Sequence, residues 1–508
     1  MRPQLFVLLY LFFSSTLFAQ TVITDGYITD HMVIQKNKPF WFRGEDDPGQ
    51  IISLDGFGIN IKSQTDAKGQ WAIKLPPLAK NQKSNISIHG SSSIVIRDVV
   101  AGDVWFVVGQ SNIQMPLHAS DFDIEGLGEE FDKRCIRVYH QPKLRSSSAV
   151  GNGNGLWLPL NKRNASKYSA IGVIFSYYLS HSLDHPIGII VSSWGSSHMN
   201  SWFPGDDVFG VTSLAEFTFA IDQKKISLWQ SRYGIYLDEK QQYPDGGMPR
   251  SIAVPRKPHS TGDLFNGMVL PFTKFPVSGI VYYQGESDVK QPNHLRNLFP
   301  PLIRSYRRYW NISDLPFLYV QIPRWDFDRK RDPKTIESEI QQQSLLAELR
   351  VAQEMASHEV SRTGMVVTID TGDYDDIHPK GKSVVGERLA NAALDIVYNK
   401  KTLWRGPTLD RKAVQQTSDN VIITFKYVGN GIEILGDEIK GFTIASDDSL
   451  FRPANAELIG PNQISIEKNM ANSHITIRYA WKDYPFGNIY DSARNPARPF
   501  KVTIPLHR

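Results

Sequence analysis

From position 23 to about 99, apolar and polar residues alternate in short runs. Phe40-Trp41-Phe42-Arg43, Ile51-Ile52-Ser53-Leu54 and Trp71-Ala72-Ile73-Lys74-Leu75 are separated by turn formers such as Asp47-Pro48-Gly49 and Ala67-Lys68-Gly69. That spacing predicts a small β-sandwich over 20–99. From about 100 the pattern changes. Val104 to Val108 is an unbroken apolar run containing Trp105 and Phe106, the composition of a strand buried on both faces. Similar short runs follow at Ile136–Tyr139, Pro186–Val191, Val277–Tyr283, Phe317–Gln321 and Met365–Ile369, with helical periodicity at Ser169–Leu183 and Ser338–Ser357 between them. Apolar strands alternating with helices predict a parallel sheet covered on both faces, an α/β domain spanning 100–402. Residues 203–266, rich in Gln, Pro and Gly, are expected to be an irregular insertion at the sheet's edge. From Trp404 alternating strands return at Val421–Phe425, Glu433–Leu435, Gln463–Ile466 and Ile475–Tyr479, which predicts a second β domain over 403–508.

Composition narrows the class. The chain has 508 residues, 41% of them hydrophobic and 11% aromatic, so it is globular rather than disordered. Its 56 basic and 52 acidic residues leave a net charge of +4, without a block of like charge. Neither nucleic acid nor a membrane surface is expected as a partner. Met1-Arg2, the mostly apolar stretch Leu5 to Phe18, and Ala19 before Gln20 have the layout of a cleavable signal peptide over 1–19. The apolar run is shorter than the ~20 residues that span a bilayer, so a secreted or periplasmic protein without stable membrane insertion is expected. The single cysteine, Cys135, excludes an internal disulfide.

Candidate chemistry gathers at predicted strand ends. Val104–Val108 ends in Gly109-Gln110-Ser111-Asn112, a sharp turn before a hydroxyl. Ile189-Ile190-Val191 leads into Ser192-Ser193-Trp194-Gly195-Ser196-Ser197, and Ile280–Tyr283 into Gln284-Gly285-Glu286-Ser287. Met365–Asp370 is followed by Asp375-Asp376-Ile377-His378-Pro379. A carboxylate two or three residues before a His is placed to accept one ring proton, leaving the other nitrogen to act as a base. Each stretch also reads as an ordinary turn, the last as an Asx turn before His-Pro. Ile113 stands where a Gly-x-Ser-x-Gly elbow needs glycine. The chain contains neither a His-Glu-x-x-His nor a Cys/His cluster, and no glycine-rich loop precedes a lysine, so no metal or other cofactor is expected.

Taken in order, Gly109-Gln110-Ser111-Asn112, Ser193-Trp194-Gly195, Tyr283-Gln284-Gly285-Glu286-Ser287, and Asp376-Ile377-His378-Pro379 with Gly386-Glu387-Arg388-Leu389-Ala390 resemble the signatures of the sialate O-acetylesterase family of SGNH-type hydrolases. Leu264-Phe265-Asn266-Gly267-Met268 resembles the family as well, and the likeness covers roughly the whole mature chain. The resemblance implies a flavodoxin-like hydrolase domain flanked by β-sandwich-like domains. It implies Ser111 as nucleophile, His378 as base and Asp376 as the acid orienting it, with Asp375 as the alternative acid of the broader superfamily or a Ser–His dyad. The oxyanion hole would come from the Ser111 and Gly195 amides and the Gln284 side chain, with Glu286 bracing the loop that presents Gln284. The implied substrate is an O-acetylated sugar or glycan, most directly a sialate. Acetylated plant glycans such as xylan are an alternative, as is an inactive carbohydrate-binding protein. Gly195-Ser196-Ser197 departs from the family's Gly-Gly-Thr, which puts the sugar preference in doubt. Trp194, Trp202 and Trp325 are candidates for stacking on sugar rings.

Overall fold

The computed structural model describes residues 20–209, 212–242, 255, 257–326, 340–341, 343–446, 450–468 and 474–505. The signal-peptide reading, 1–19, lies outside them. The structure is organised on one strand, β1 (Ser93–Gly109), which is 17 residues long. Its first half pairs with Lys83–His89 inside the N-terminal β region, and its second half forms the middle of the α/β sheet. A continuous strand therefore crosses position 100, and the two regions share backbone hydrogen bonding rather than a linker.

Around β1 lie β2 (Ile136–His140), β3 (Leu156–Pro159), β4 (Ile187–Ser193), β5 (Gly279–Tyr283), β6 (Phe317–Val320) and β7 (Thr363–Val366), in the order β3-β2-β4-β1-β5-β6-β7. All neighbours are parallel except β3, which returns antiparallel on β2. With the β2–β3 hairpin set aside, the strands run second, first, third, fourth, fifth in chain order, the expected flavodoxin-like winding. In such a sheet the order reverses beside the first strand, and a crevice opens at its carboxyl end. Ser111 follows that end of β1 directly.

The apolar run is explained by burial on both sides. Val104, Phe106 and Val108 pack into one core, and Trp105 and Val107 into the other. The second core is closed by α2 (Ala170–Leu183) and α6 (Ser383–Ile396), the first by α4 (Pro292–Tyr309) and α5 (Leu345–Glu359). At the amino end of β1, buried Asp103 accepts hydrogen bonds from Gln35 (3.0 Å), Lys36 (2.6 Å) and Ser278 (2.8 Å), with His185 at 2.6 Å. Burial alone would raise its pKa, but these partners hold it well below the usual carboxylate range. The cluster fastens the N-terminal β region to the base of the sheet, away from Ser111.

The N-terminal region contains a three-stranded sheet (Val22–Ile23, Phe40–Glu45, Gln70–Leu75) facing the strands Ile51–Gly56, Ile59–Gln64 and Lys83–His89. The C-terminal region contributes sheets built on Asn420–Lys426 with Gln463–Glu467 and on Phe442–Ser446 with His474–Tyr479 and Phe500–Pro505. One reading of the sequence is corrected. Residues 203–266 include the 30-residue helix α3 (Thr212–Gln241) rather than an irregular segment. Within that helix the only Gly or Pro is Gly234; the other Pro and Gly residues that gave the segment its composition fall on either side of it, most of them after it.

Candidate active site

The loops that leave β1, β4, β5 and β7 meet at the carboxyl edge of the sheet. Gly109 ends β1 with φ +155°, and a Cβ there would lie 2.1 Å from the carbonyl oxygen of Tyr283, so only glycine fits against β5. The chain then turns into the one-turn helix α1 (Ser111–Gln114), which Ser111 begins, half-buried between buried Gln110 and Asn112. Ile113 and Gln114 N–H donate to the Gln110 carbonyl at 3.0 Å, which leaves the Ser111 and Asn112 amides without an acceptor inside the turn.

The β4 loop joins this turn directly. Trp194 N–H donates to the Gly109 carbonyl at 3.0 Å, and a Cβ on Gly195 would sit 3.4 Å from Ser111 Cβ. Gly195 is therefore beside Ser111, as expected. Its N–H, however, donates to Gln114 Oε1 at 2.9 Å.

Gln284 and Glu286 have bonding partners outside their own loop. The Gln284 amide donates to the Ser197 carbonyl at 2.8 Å and to Asp288 at 3.2 Å, so it anchors the β4 loop. Both acceptors are buried and need a donor, which fixes the amide's direction. Glu286 braces the Ser111 loop and not the Gln284 loop. Its carboxylate accepts from Gln110 Nε2 and Asn112 Nδ2, the side chains on either side of Ser111. Burial raises the Glu286 pKa, and those two bonds together with the Lys382 charge pull back against the rise. Asp288, which also takes His198 Nδ1 at 3.2 Å and Met199 N–H at 3.0 Å, is the opposite case. Burial pushes it up, but the His198 bond and charge, with the other donors, hold it below the ordinary value.

The His378 loop is laced to the residue after Ser111. Asn112 Nδ2 donates to the Ile377 carbonyl at 3.2 Å. Lys382 Nζ donates to Asn112 Oδ1 at 2.8 Å and to the Pro379 carbonyl at 2.7 Å, so the residues on both sides of His378 are tied to Asn112. Burial brings the Lys382 pKa down to about 8 against the opposing pull of Glu286, Asp376 and Asp121. Burial also lowers His378, more than nearby Asp376 raises it, and Lys382 adds to the lowering. The shift favours the neutral imidazole.

Asp376 accepts the His378 backbone N–H at 2.7 Å, the Asx turn foreseen as the plain reading. Its carboxylate stands 3.7 Å from Nδ1, beyond hydrogen-bond length, and both side chains are about half exposed. Asp375 is exposed. Of the three tryptophans, Trp202 and Trp325 are buried, whereas half-buried Trp194 carries Lys143 5.4 Å over its ring and His259 at its edge, 4.9 Å between centroids. Asn112 and Lys382 were given no role from sequence. Asn112 stood in the first motif without a charge to mark it, and Lys382 is one of many lysines. Among the described residues no group of His, Cys, Asp and Glu is placed to hold a metal ion, and no helix is long and apolar enough to cross a membrane.

Comparison with known proteins gives this arrangement its class. Residues 259–395 match the family described as carbohydrate esterase, sialic acid-specific acetylesterase. The chain is 24% identical to the sialate O-acetylesterase of Mus musculus, with 94% of each chain covered. It is 23% identical to that of Homo sapiens, covering 94% of this chain and 92% of the human one. Among solved structures it matches a carbohydrate acetylesterase from Xanthomonas citri with a TM-score of 0.79 and 25% identity, over 95% of this chain and 99% of the other. The fold and these matches define a carboxylic ester hydrolase of the carbohydrate esterase class. Within that class the chain is similar to the sialate O-acetylesterases.

Proposed function

We propose that the protein removes O-acetyl groups from sugars through a Ser111 nucleophile and a His378 base. One observation carries the reading: Asn112, adjacent to Ser111, holds both flanks of His378, through the Ile377 carbonyl directly and the Pro379 carbonyl by way of Lys382. In this reading Ser111 Oγ attacks the acetyl carbonyl as His378 takes its proton, and the C–O bond to the sugar breaks as His378 returns that proton to the departing alkoxide. Water then attacks the acetyl-enzyme by the reverse proton path and releases acetate. The Ser111 and Gly195 amides form the oxyanion hole, with Gln114 Oε1 giving up the Gly195 N–H to the acyl oxygen; such donors are typically worth about 3 kcal/mol each in the transition state. Gln284 acts behind them, holding the β4 loop. Sialate esters are the first substrates to test, since the matched family is described by them. Export follows from the leader-like 1–19 segment.

The experiment compares the natural chain with Ser111→Ala and His378→Ala on p-nitrophenyl acetate, and measures acetate release from O-acetylated sialic acids and acetylated xylan. Both variants should lose turnover. Equal rates in all three proteins would refute the reading.

A further inference from the structure

The loop after β7 that carries His378 also carries Tyr374, and Tyr374 begins a ladder of rings on the surface. Tyr374 packs edge-on against Tyr484 with centroids 5.3 Å apart, and Tyr484 edge-on against Phe486 at 5.4 Å. The Arg324 guanidinium, from the segment after β6, lies 4.6 Å from the Tyr484 ring and 6.0 Å from Phe486. Phe486 is 64% exposed and Tyr374 41%. A lone exposed ring is ordinary, but three in successive edge contact, two of them beside a guanidinium, form a platform.

That platform is held rigidly. Buried Arg350 donates to the Lys482 and Asp483 carbonyls at 2.7 and 2.9 Å, Ser344 donates to Asp483 at 2.6 Å, and Arg324 donates to the Pro485 carbonyl at 3.2 Å. The loop of the C-terminal region is thereby fixed to the carboxyl edge of the α/β sheet, next to the catalytic loop. A loop so well anchored has no packing need to leave a phenylalanine in water.

We propose that Tyr374, Tyr484 and Phe486 bind a pyranose residue of the glycan chain that carries the acetyl group, at a distance from the acetylated residue itself. The inference rests on the esterase reading and deepens it. Tyr374 precedes His378 on the same loop, so a sugar held on these rings and an ester presented to Ser111 can belong to one glycan chain. Flat rings offer an apolar face to the C–H face of a pyranose, and Arg324 offers donors to its hydroxyls. A protein partner fits poorly, because three partly exposed rings fall well short of the roughly 800 Å² per side of a stable interface.

The test is calorimetric titration of the full chain with xylohexaose and with a linear sialic acid tetramer, each beside its single sugar, and repeated with Phe486→Ala and Phe486→Trp. At least one oligosaccharide should bind about tenfold or more tighter than its monomer. Phe486→Ala should weaken that binding about fivefold, and Phe486→Trp should restore it. The platform is overturned if neither oligosaccharide binds more tightly than its monomer, or if Phe486→Ala binds as the natural chain does. Hydrolysis of p-nitrophenyl acetate, measured separately, reports on the esterase reading, so the two can fail independently.

Discussion

Glu286→Gln separates a carboxylate that braces the nucleophile from one that merely fills space, because the substitution keeps size and shape. In the native loop both carboxylate oxygens are acceptors, one for Gln110 Nε2 and the other for Asn112 Nδ2. Glutamine supplies one oxygen and one NH2, so in either orientation a buried NH2 faces another donor. An unsatisfied buried donor costs about 1–3 kcal/mol, and the surviving bond loses its charge assistance, about 1 kcal/mol more. Removing a buried carboxylate returns part of this, but it also takes away the opposing charge felt by Lys382. The net expectation is about 2–4 kcal/mol, felt on both sides of Ser111. If half of that appears as displacement of the hydroxyl, kcat falls roughly 5- to 30-fold, while KM for a small ester stays within about twofold. Steady-state kinetics on p-nitrophenyl acetate, paired with thermal unfolding, provide the measurement. A kcat within twofold of native at an unchanged melting temperature would refute the brace.

Two further outcomes follow from the site. Burial lowers the His378 pKa below its ordinary 6.5, so kcat/KM should rise from acid pH through a midpoint below 6.5 and then level off; a midpoint above 6.5 would contradict the geometry. The same group binds more protons in the unfolded chain between its folded pKa and 6.5, so its contribution to stability is complete above that window and is lost as pH falls through it. Asp376→Ala should lower kcat by less than about tenfold, because the carboxylate is half exposed and 3.7 Å from Nδ1, in contrast to the roughly 10⁴-fold effect of altering a buried, bonded triad acid. A thousandfold loss would show that Asp376 closes onto the ring during turnover.

The strands of the sheet were legible because each carries its own signal. Val104–Val108 is apolar at successive positions, and the two cores it feeds, Phe106 on one side and Trp105 on the other, account for every one of them. What the pattern could not show was that this strand begins at Ser93 in the neighbouring β region, since the charged pair Arg97-Asp98 interrupts Ser93–Val100 while Val104–Val108 is unbroken. Such an interruption reads as a boundary even where the backbone continues. Helix α3 was missed for a different reason. Its charged, polar and aromatic residues do not gather on separate faces, so periodicity is silent there, and the Pro and Gly residues after Gln241 dominated the composition.

At the site, sequence pointed to loops that the structure brings together, but not to the bonds between them. The Ser111, Gly195 and His378 loops stood out by residue types that chemistry uses at strand ends. Gln284 and Glu286 were assigned as donor and local brace because each was read within its own loop; their partners, Ser197 for one and Gln110 and Asn112 for the other, lie 87 to 176 positions away. Direction of donation is set by the unpaired atoms a fold leaves nearby, and no local spacing encodes it. The same logic explains Lys382. A buried ammonium is costly, and it is retained here where it satisfies Asn112 Oδ1 and the Pro379 carbonyl at once, opposite the buried Glu286 carboxylate. Replacing that lysine by an apolar residue would relieve the cost of its charge and leave both oxygens without a donor. The loops of Ser111 and His378 would then be joined only through the Ile377 carbonyl. Positioning at this site is therefore a property of a buried polar chain, Glu286 to Asn112 to Lys382, that links the turn bearing Ser111 to the loop bearing His378.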